Sequence, residues 1–412
     1  MSLREYLRSL LGVDATQRRL DTSARDLENI QQSVRSLTRE MRQLRGLLLQ
    51  QTDLTTEALQ RAGWQDEDER EPPSMRKVLR AIETPGDIIA GPWTGEVGFE
   101  LMYWIPFLNW LAADGALGSR LIVVSRGGAA PWYRHLTTRY VDLLELMTPD
   151  EFRERTAGPK KQLDRSHRFD REVFESVKTR LGLGRASLVH PAAMYRLFEA
   201  LWRKRATIDL VSSFSSYRPL LAPDPDEVHD QTIAQLPRDY VVAKFYFSKA
   251  FPESPENRRF VRDLLERVSR RVPVVLLSTS IRVDEHIDFR TDGGSNLVVV
   301  DAHTVPQKNL ELQTRVICGA RGFIGTYGGF SYLAPFYGVR SLSFFSRRFG
   351  FESHHLDLAE GVFDRLLPGG FVAVDRRAID LVEPAVERWT SARVPPSDDA
   401  VEEDSVAAST SS

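Results

Sequence analysis

Apolar positions recur along this chain with two periods. Leu20, Leu27, Val34, Met41 and Leu48 repeat every seven residues, and Ile30, Leu37 and Leu44 hold the complementary positions, which predicts a coiled coil. Glu40 and Arg45 flank that seam with opposite charges, so self-association through residues 20–51 is the expectation. Residues 65–73, QDEDEREPP, end the pattern as a linker would. Beyond them, short β-rich apolar runs alternate with stretches of helical spacing. Strands are predicted at 87–90, 119–125, 141–147, 240–247, 272–278, 296–301, 323–325, 340–345 and 371–374. Helices are predicted at 99–113, 133–140, 170–181, 194–205, 255–271, 310–319, 330–337 and 377–389. Such alternation means parallel, doubly wound sheets. The Pro-rich stretch PLLAPDPD at 219–226 divides it in two. The predicted layout is a helix and coiled coil at 1–64, a linker at 65–84, α/β domains at 85–222 and 223–393, and a polar tail at 394–412.

Composition narrows the function classes. A chain of 412 residues with a formal net charge of -2 has no global attraction for nucleic acid, so any anion must be held locally. The single cysteine, Cys318, rules out a disulfide within the chain. With no apolar run of membrane-spanning length and no secretory leader, a cytoplasmic location is expected. Residues 1–13 carry Leu3, Leu7, Leu10 and Leu11 on one face; they either begin the long helix or touch the inner membrane surface.

The candidate chemistry gathers at two glycine-rich turns. In FIGTYGGFSYLAPFYGVRSLSFF, residues 323–345, a strand runs through Thr326, Gly328 and Gly329 into a helix. Consecutive glycines admit a ligand close to the backbone, and the N–H groups of a helix start favour an anion such as a diphosphate. Thr326 and Ser331 add hydroxyl donors there, and the carboxyl end of a parallel strand is where open α/β sheets hold ligands. The first domain has a similar passage, with Gly95, Glu96 and Gly98 after the strand at 87–90 and Glu100 one turn later. Trp93, Tyr103 and Trp104 either stack on a sugar or belong to the core. His286, His303, His354 and His355 lack the spacing of metal ligands, and Asp224-Pro225-Asp226 sits in a Pro-rich joint, so no metal and no cofactor is assigned.

Two strand-to-glycine-turn units in succession, with Gly325-Thr326-Tyr327-Gly328-Gly329 in the second, resemble the GT-B glycosyltransferases, with heptosyltransferase-like and fucosyltransferase-like groups as the nearest likenesses. The resemblance implies two Rossmann-like domains, a nucleotide-sugar donor, and a glycan or lipid-linked acceptor. It implies that an acid in the first glycine-rich loop takes the acceptor's proton, here Glu96 with Glu100 in reserve; capping the helix start is the other role open to Glu96. It places acceptor contacts at Trp93, Gly95 and Gly98. It places a basic residue near the end of the second domain's first strand on the donor phosphates: Lys244, or Lys249 as second choice. Lys244 is otherwise a snorkelling edge lysine. Ser278, Thr279 and Arg282, after a buried strand, join the donor set. A nucleotide-sugar epimerase on the same fold, or a glycan-binding assembly protein built on the coiled coil, are the rival functions.

Overall fold

The computed structural model describes residues 74–113, 115, 117–156, 168–223, 231–278, 286–301, 305–380 and 387. The heptad seam at 20–51, the leucine face at 1–13, the Asp224-Pro225-Asp226 joint, Thr279, Arg282, His303 and the tail lie outside them. The chain divides into two units, Met1–Arg76 and Lys77–Ser412. Among the described residues no helix is long and apolar enough to cross a membrane.

The unit is α/β, with two parallel sheets. The first is built from β1 (Asp87–Ala90), β2 (Leu121–Ser125), β3 (Tyr140–Asp142) and β4 (Ala186–Val189) in the order β3-β2-β1-β4. After β1 come α1 (Val97–Phe99), a π-helical segment Glu100–Trp104 and α2 (Ile105–Ala112); α3 (Arg168–Leu181) and α4 (Pro191–Trp202) flank β4. The second sheet holds β5 (Val241–Lys244), β7 (Val274–Ser278), β9 (Leu297–Asp301), β10 (Gly322–Thr326), β11 (Arg340–Phe345) and β12 (Phe371–Asp375). A two-stranded antiparallel flap, β6 (Tyr246–Phe247) with β8 (Ile287–Asp288), continues from the end of β5. The large sheet runs β12-β11-β10-β5-β7-β9. Numbered by appearance within that sheet, this is the six-strand order of dinucleotide-binding folds, and the first sheet is its 3-2-1-4 portion. In such an order the chain reverses direction across the sheet beside the first strand, between β5 and β10 here, and the helices that follow those strands leave a crevice.

Cores follow from the strand pattern. β2, β5 and β7 are buried on both faces, as central parallel strands should be; β2 and β7 are apolar up to a closing serine, and β5 is apolar up to Lys244. Helices α5 (Pro255–Ser269), α6 (Asn309–Cys318), α7 (Gly329–Phe336) and α8 (Ser353–Leu366) belong to the larger sheet. Of these, α5 buries Val261, Leu264, Leu265 and Val268 against Val241, Ala243 and Val274. Each such side chain contributes roughly 1.5–3 kcal/mol.

Several elements differ from the sequence reading. The helix expected at 133–140 is one 3₁₀ turn, Ala130–Tyr133, and the strand expected at 141–147 stops at Asp142. The Asp142 carboxylate accepts from the N–H of Leu144 (2.9 Å) and turns the chain. The strand expected at 240–247 breaks at Phe245 into β5 and β6, and β4 was not foreseen.

Candidate functional site

The first glycine-rich turn is held from below. Gly91 leaves β1 at φ +135, where a Cβ would collide with the carbonyl of Val124. The Trp93 N–H then donates to that carbonyl at 2.9 Å. The Trp93 ring is fully buried, stacked on Trp104 and Tyr195 with centroids 5.9 Å away in each case. It therefore offers no face to a sugar, which corrects the acceptor contact expected of it; Tyr103 and Trp104 are likewise core. Glu96 sits exposed at the N-cap of α1 with extended backbone, and its side chain makes no capping hydrogen bond.

Glu100, one turn on, has the opposite fate. It is fully buried, and its carboxylate accepts from Ser125 Oγ (2.5 Å), Tyr133 Oη (2.6 Å) and Arg126 Nη1 (3.2 Å). Arg126, also buried, donates through Nη2 to the carbonyl of Gly95. Burial pushes the Glu100 carboxyl up, opposed by the Arg126 charge and the hydrogen bonds. With no exposed atom, Glu100 braces the Gly95–Glu96 backbone instead of meeting an acceptor. The π segment has a local cause. Pro106 has no N–H to close an α-helical bond to Met102, so Ile105 donates back to Glu100, and the Tyr217 hydroxyl fills the Met102 carbonyl at 2.7 Å.

In the second turn the predicted hydroxyls are spent internally. Thr326 Oγ1 accepts from the N–H of Tyr246 (3.0 Å) and donates to the carbonyl of Tyr246 (2.9 Å), fastening β10 to the flap. Ser331 Oγ accepts from the N–H of Gly328 (3.1 Å) and donates to its carbonyl (2.7 Å), closing the start of α7. Gly328 stands at φ +141, and a Cβ there would strike the Tyr246 hydroxyl. Lys244 is no edge lysine: it lies in a central strand, 3% exposed, paired with Asp288 at 2.8 Å and 5.2 Å from the Phe330 ring centroid. Ser278 is buried at the end of β7.

The two turns meet each other. A Cβ on Gly98 would lie 3.4 Å from Gly329 Cα, and one on Gly329 would lie 3.0 Å from the Gly98 nitrogen. Backbone touches backbone, and that contact, as much as any ligand, explains the glycines. Beside it, the Tyr103 hydroxyl and His355 Nδ1 at the start of α8 are 2.5 Å apart.

Open space lies farther along the carboxyl side of the larger sheet. A cleft of about 820 Å³ is lined by Phe247, Ser248, Lys249, Pro252, Glu253, Ile287, Ser346, Arg347, Arg348, Gly350 and Arg377. Four cations thus face one carboxylate. The floor is tied together: Ser346 and Arg347 both donate backbone N–H to the carbonyl of Ala250 (2.9 and 3.0 Å), and Asn257 Nδ2 donates to Ser346 Oγ (2.9 Å). Arg348 lies over the Phe351 ring at 4.8 Å, and Arg377 grips both oxygens of Asp375 at 2.9 and 2.7 Å, holding that carboxyl below its usual range. Lys249 was the second choice from sequence. Arg347, Arg348 and Arg377 were missed, although adjacent arginines directly after a buried strand were the available signal.

No protein-family model and no curated protein matches this chain. Among solved structures, it is similar to the E. coli heptosyltransferase WaaC with ADP, at 15% identity and TM-score 0.36, covering 73% of this chain and 99% of that one. It is similar to a glycosyl transferase family 9 protein from Veillonella parvula, at 13% identity and TM-score 0.39, over 73% and 89%. It is also similar to the E. coli ADP-heptose LPS heptosyltransferase II, at 11% identity and TM-score 0.39, over 75% and 100%.

Proposed function

We propose that this chain is a glycosyltransferase that moves a sugar from a nucleotide-activated donor to a hydroxyl of a glycan or lipid-linked acceptor. The observation that carries the reading is the cleft of Lys249, Arg347, Arg348 and Arg377 at the carboxyl side of a sheet with dinucleotide-binding strand order. Cations lining one concavity suit a diphosphate both as a bound group and as a departing one, because they stabilise the charge that develops as the glycosidic bond breaks. In this reading side-chain cations do the work that a divalent ion does elsewhere. The acceptor side is the first turn, where Glu96 is the exposed acid and the Arg126–Glu100 pair steadies the backbone that presents it. Glu96 removes the acceptor proton as the oxygen attacks the anomeric carbon.

The test begins with titration calorimetry of the full chain against a panel of nucleoside diphosphates. One of them should bind, and Arg347→Gln with Arg348→Gln should weaken it by about tenfold or more, since charge-assisted bonds to phosphate contribute about 1.5–3 kcal/mol each. Once a donor is known, Glu96→Gln should cut single-turnover transfer by about 10²–10⁴-fold with donor affinity unchanged. Undiminished nucleotide binding by the double variant would remove the cleft from the donor site.

A further inference from the structure

A second concavity, of about 440 Å³, adjoins the cleft across Glu253 and is lined by Glu253, Ser254, Pro255, Arg258, Arg259 and Arg262. Arg258, Arg259 and Arg262 follow the first turn of α5, with Arg262 four residues from Arg258 and three from Arg259. Like charges three and four residues apart on a helix repel. Local carboxylates relieve this only in part. Arg258 pairs with Glu253 and lies 4.9 Å over the Phe247 ring, which also lines the cleft. Glu256 is exposed near Arg259 and Arg376. Among the described residues neither Arg259 nor Arg262 is held in an ion pair, and both are exposed. Three guanidiniums line one hollow, and an anion seated there would meet all three.

We infer that this hollow is a second anion subsite, which takes a phosphate-class dianion (a phosphomonoester or pyrophosphate group) beside the cleft and separated from it by Glu253. Arg259 and Arg262 supply the free forks, Arg258 supplies the wall shared with Phe247, and the start of α5 adds its dipole. The inference does not depend on the reaction proposed above, because the site is defined by its own residues.

The experiment uses the full-length chain carrying Arg347→Gln and Arg348→Gln, which removes charge from the neighbouring cleft, and titrates it with pyrophosphate. Binding should persist in that background. Adding Arg259→Gln and Arg262→Gln should weaken it by about tenfold or more, and Arg259→Lys with Arg262→Lys should restore only part, because a lysine keeps the charge but loses the fork. No pyrophosphate binding in the cleft-silenced chain, equal binding by the Gln variant, or full rescue by lysine would overturn the subsite. Vesicles containing phosphatidic acid, whose headgroup is a phosphomonoester, separate two sources of the phosphate. Co-sedimentation that is lost in the Gln variant assigns a lipid headgroup, and a chain that binds pyrophosphate but stays in the supernatant assigns a soluble phosphate ester.

Discussion

Glu96 and Glu100 stand four residues apart on one helical stretch, yet one is exposed and the other buried among three donors. Sequence spacing alone could not rank them, because the partners of Glu100 come from β2 and beyond: Ser125, Arg126 and Tyr133. The same holds for Lys244, whose counter-charge Asp288 lies 44 residues away on the flap. His135 shows how a buried polar side chain makes stability depend on pH. Its Nε2 lies 2.6 Å from Asn109 Oδ1, and burial, aided by the Arg218 charge, pushes its pKa down to about 4. With the folded value below the unfolded one near 6.5, the contribution of His135 is present above pH 6.5 and is lost as pH falls toward 4. Thermal melts from pH 7 to 4 should therefore fall less steeply for His135→Gln than for the wild type. Parallel curves would show that His135 does not titrate in this way.

Most elements of the second sheet were legible because its strands are apolar on both faces and bounded by turn residues, as in Phe323 to Gly325 and Arg340 to Phe345. β4 escaped because Ala186, Ser187 and Leu188 are only half-buried and its sequence carries no β-branched run before Val189. The break at Phe245 escaped because it depends on Thr326 binding the backbone of Tyr246, a contact across 80 positions. The glycines are expected from sequence to admit a ligand close to the backbone; in the fold Gly329 packs against Gly98. The left-handed φ at Gly328 gives a prediction for this turn. Gly328→Ala should cost about 1–3 kcal/mol from backbone strain, plus the collision with the Tyr246 hydroxyl. Tyr246→Phe removes the colliding oxygen, since the ring carbon behind it would sit at 3.5 Å. The double variant should then be more stable than the sum of the single changes allows. Strict additivity in a chemical-denaturation cycle would mean that the strain is purely backbone.

At the scale of the whole unit, the two sheets are stitched by specific bonds. Trp132 Nε1 donates to Thr314 Oγ1 at 2.9 Å, the N–H of Leu310 donates to the carbonyl of Gly127 at 2.6 Å, and the N–H of Leu220 donates to the carbonyl of Phe336 at 2.8 Å. None of these was visible in sequence, which showed only a Pro-rich joint between two similar halves. They predict one cooperative calorimetric transition for the α/β unit. Thr314→Val, which strands a buried indole N–H, should lower its midpoint by an amount matching about 1–3 kcal/mol. Two resolved transitions within this unit would show that the halves melt independently.

The strand order also sets a timetable. β5 pairs with β7 soon after it is made, but its other partner, β10, lies roughly eighty residues later, so Val241 to Lys244 waits for Gly322 to Gly325 with one hydrogen-bonding edge open. β1 waits still longer for Ala186 to Val189. At about 5–20 residues per second of synthesis, the open edge of β5 persists for roughly 4–16 s on the ribosome. During that interval Val241, Val242 and Ala243, apolar and destined for the core, offer unpaired N–H and C=O groups to any neighbouring nascent chain.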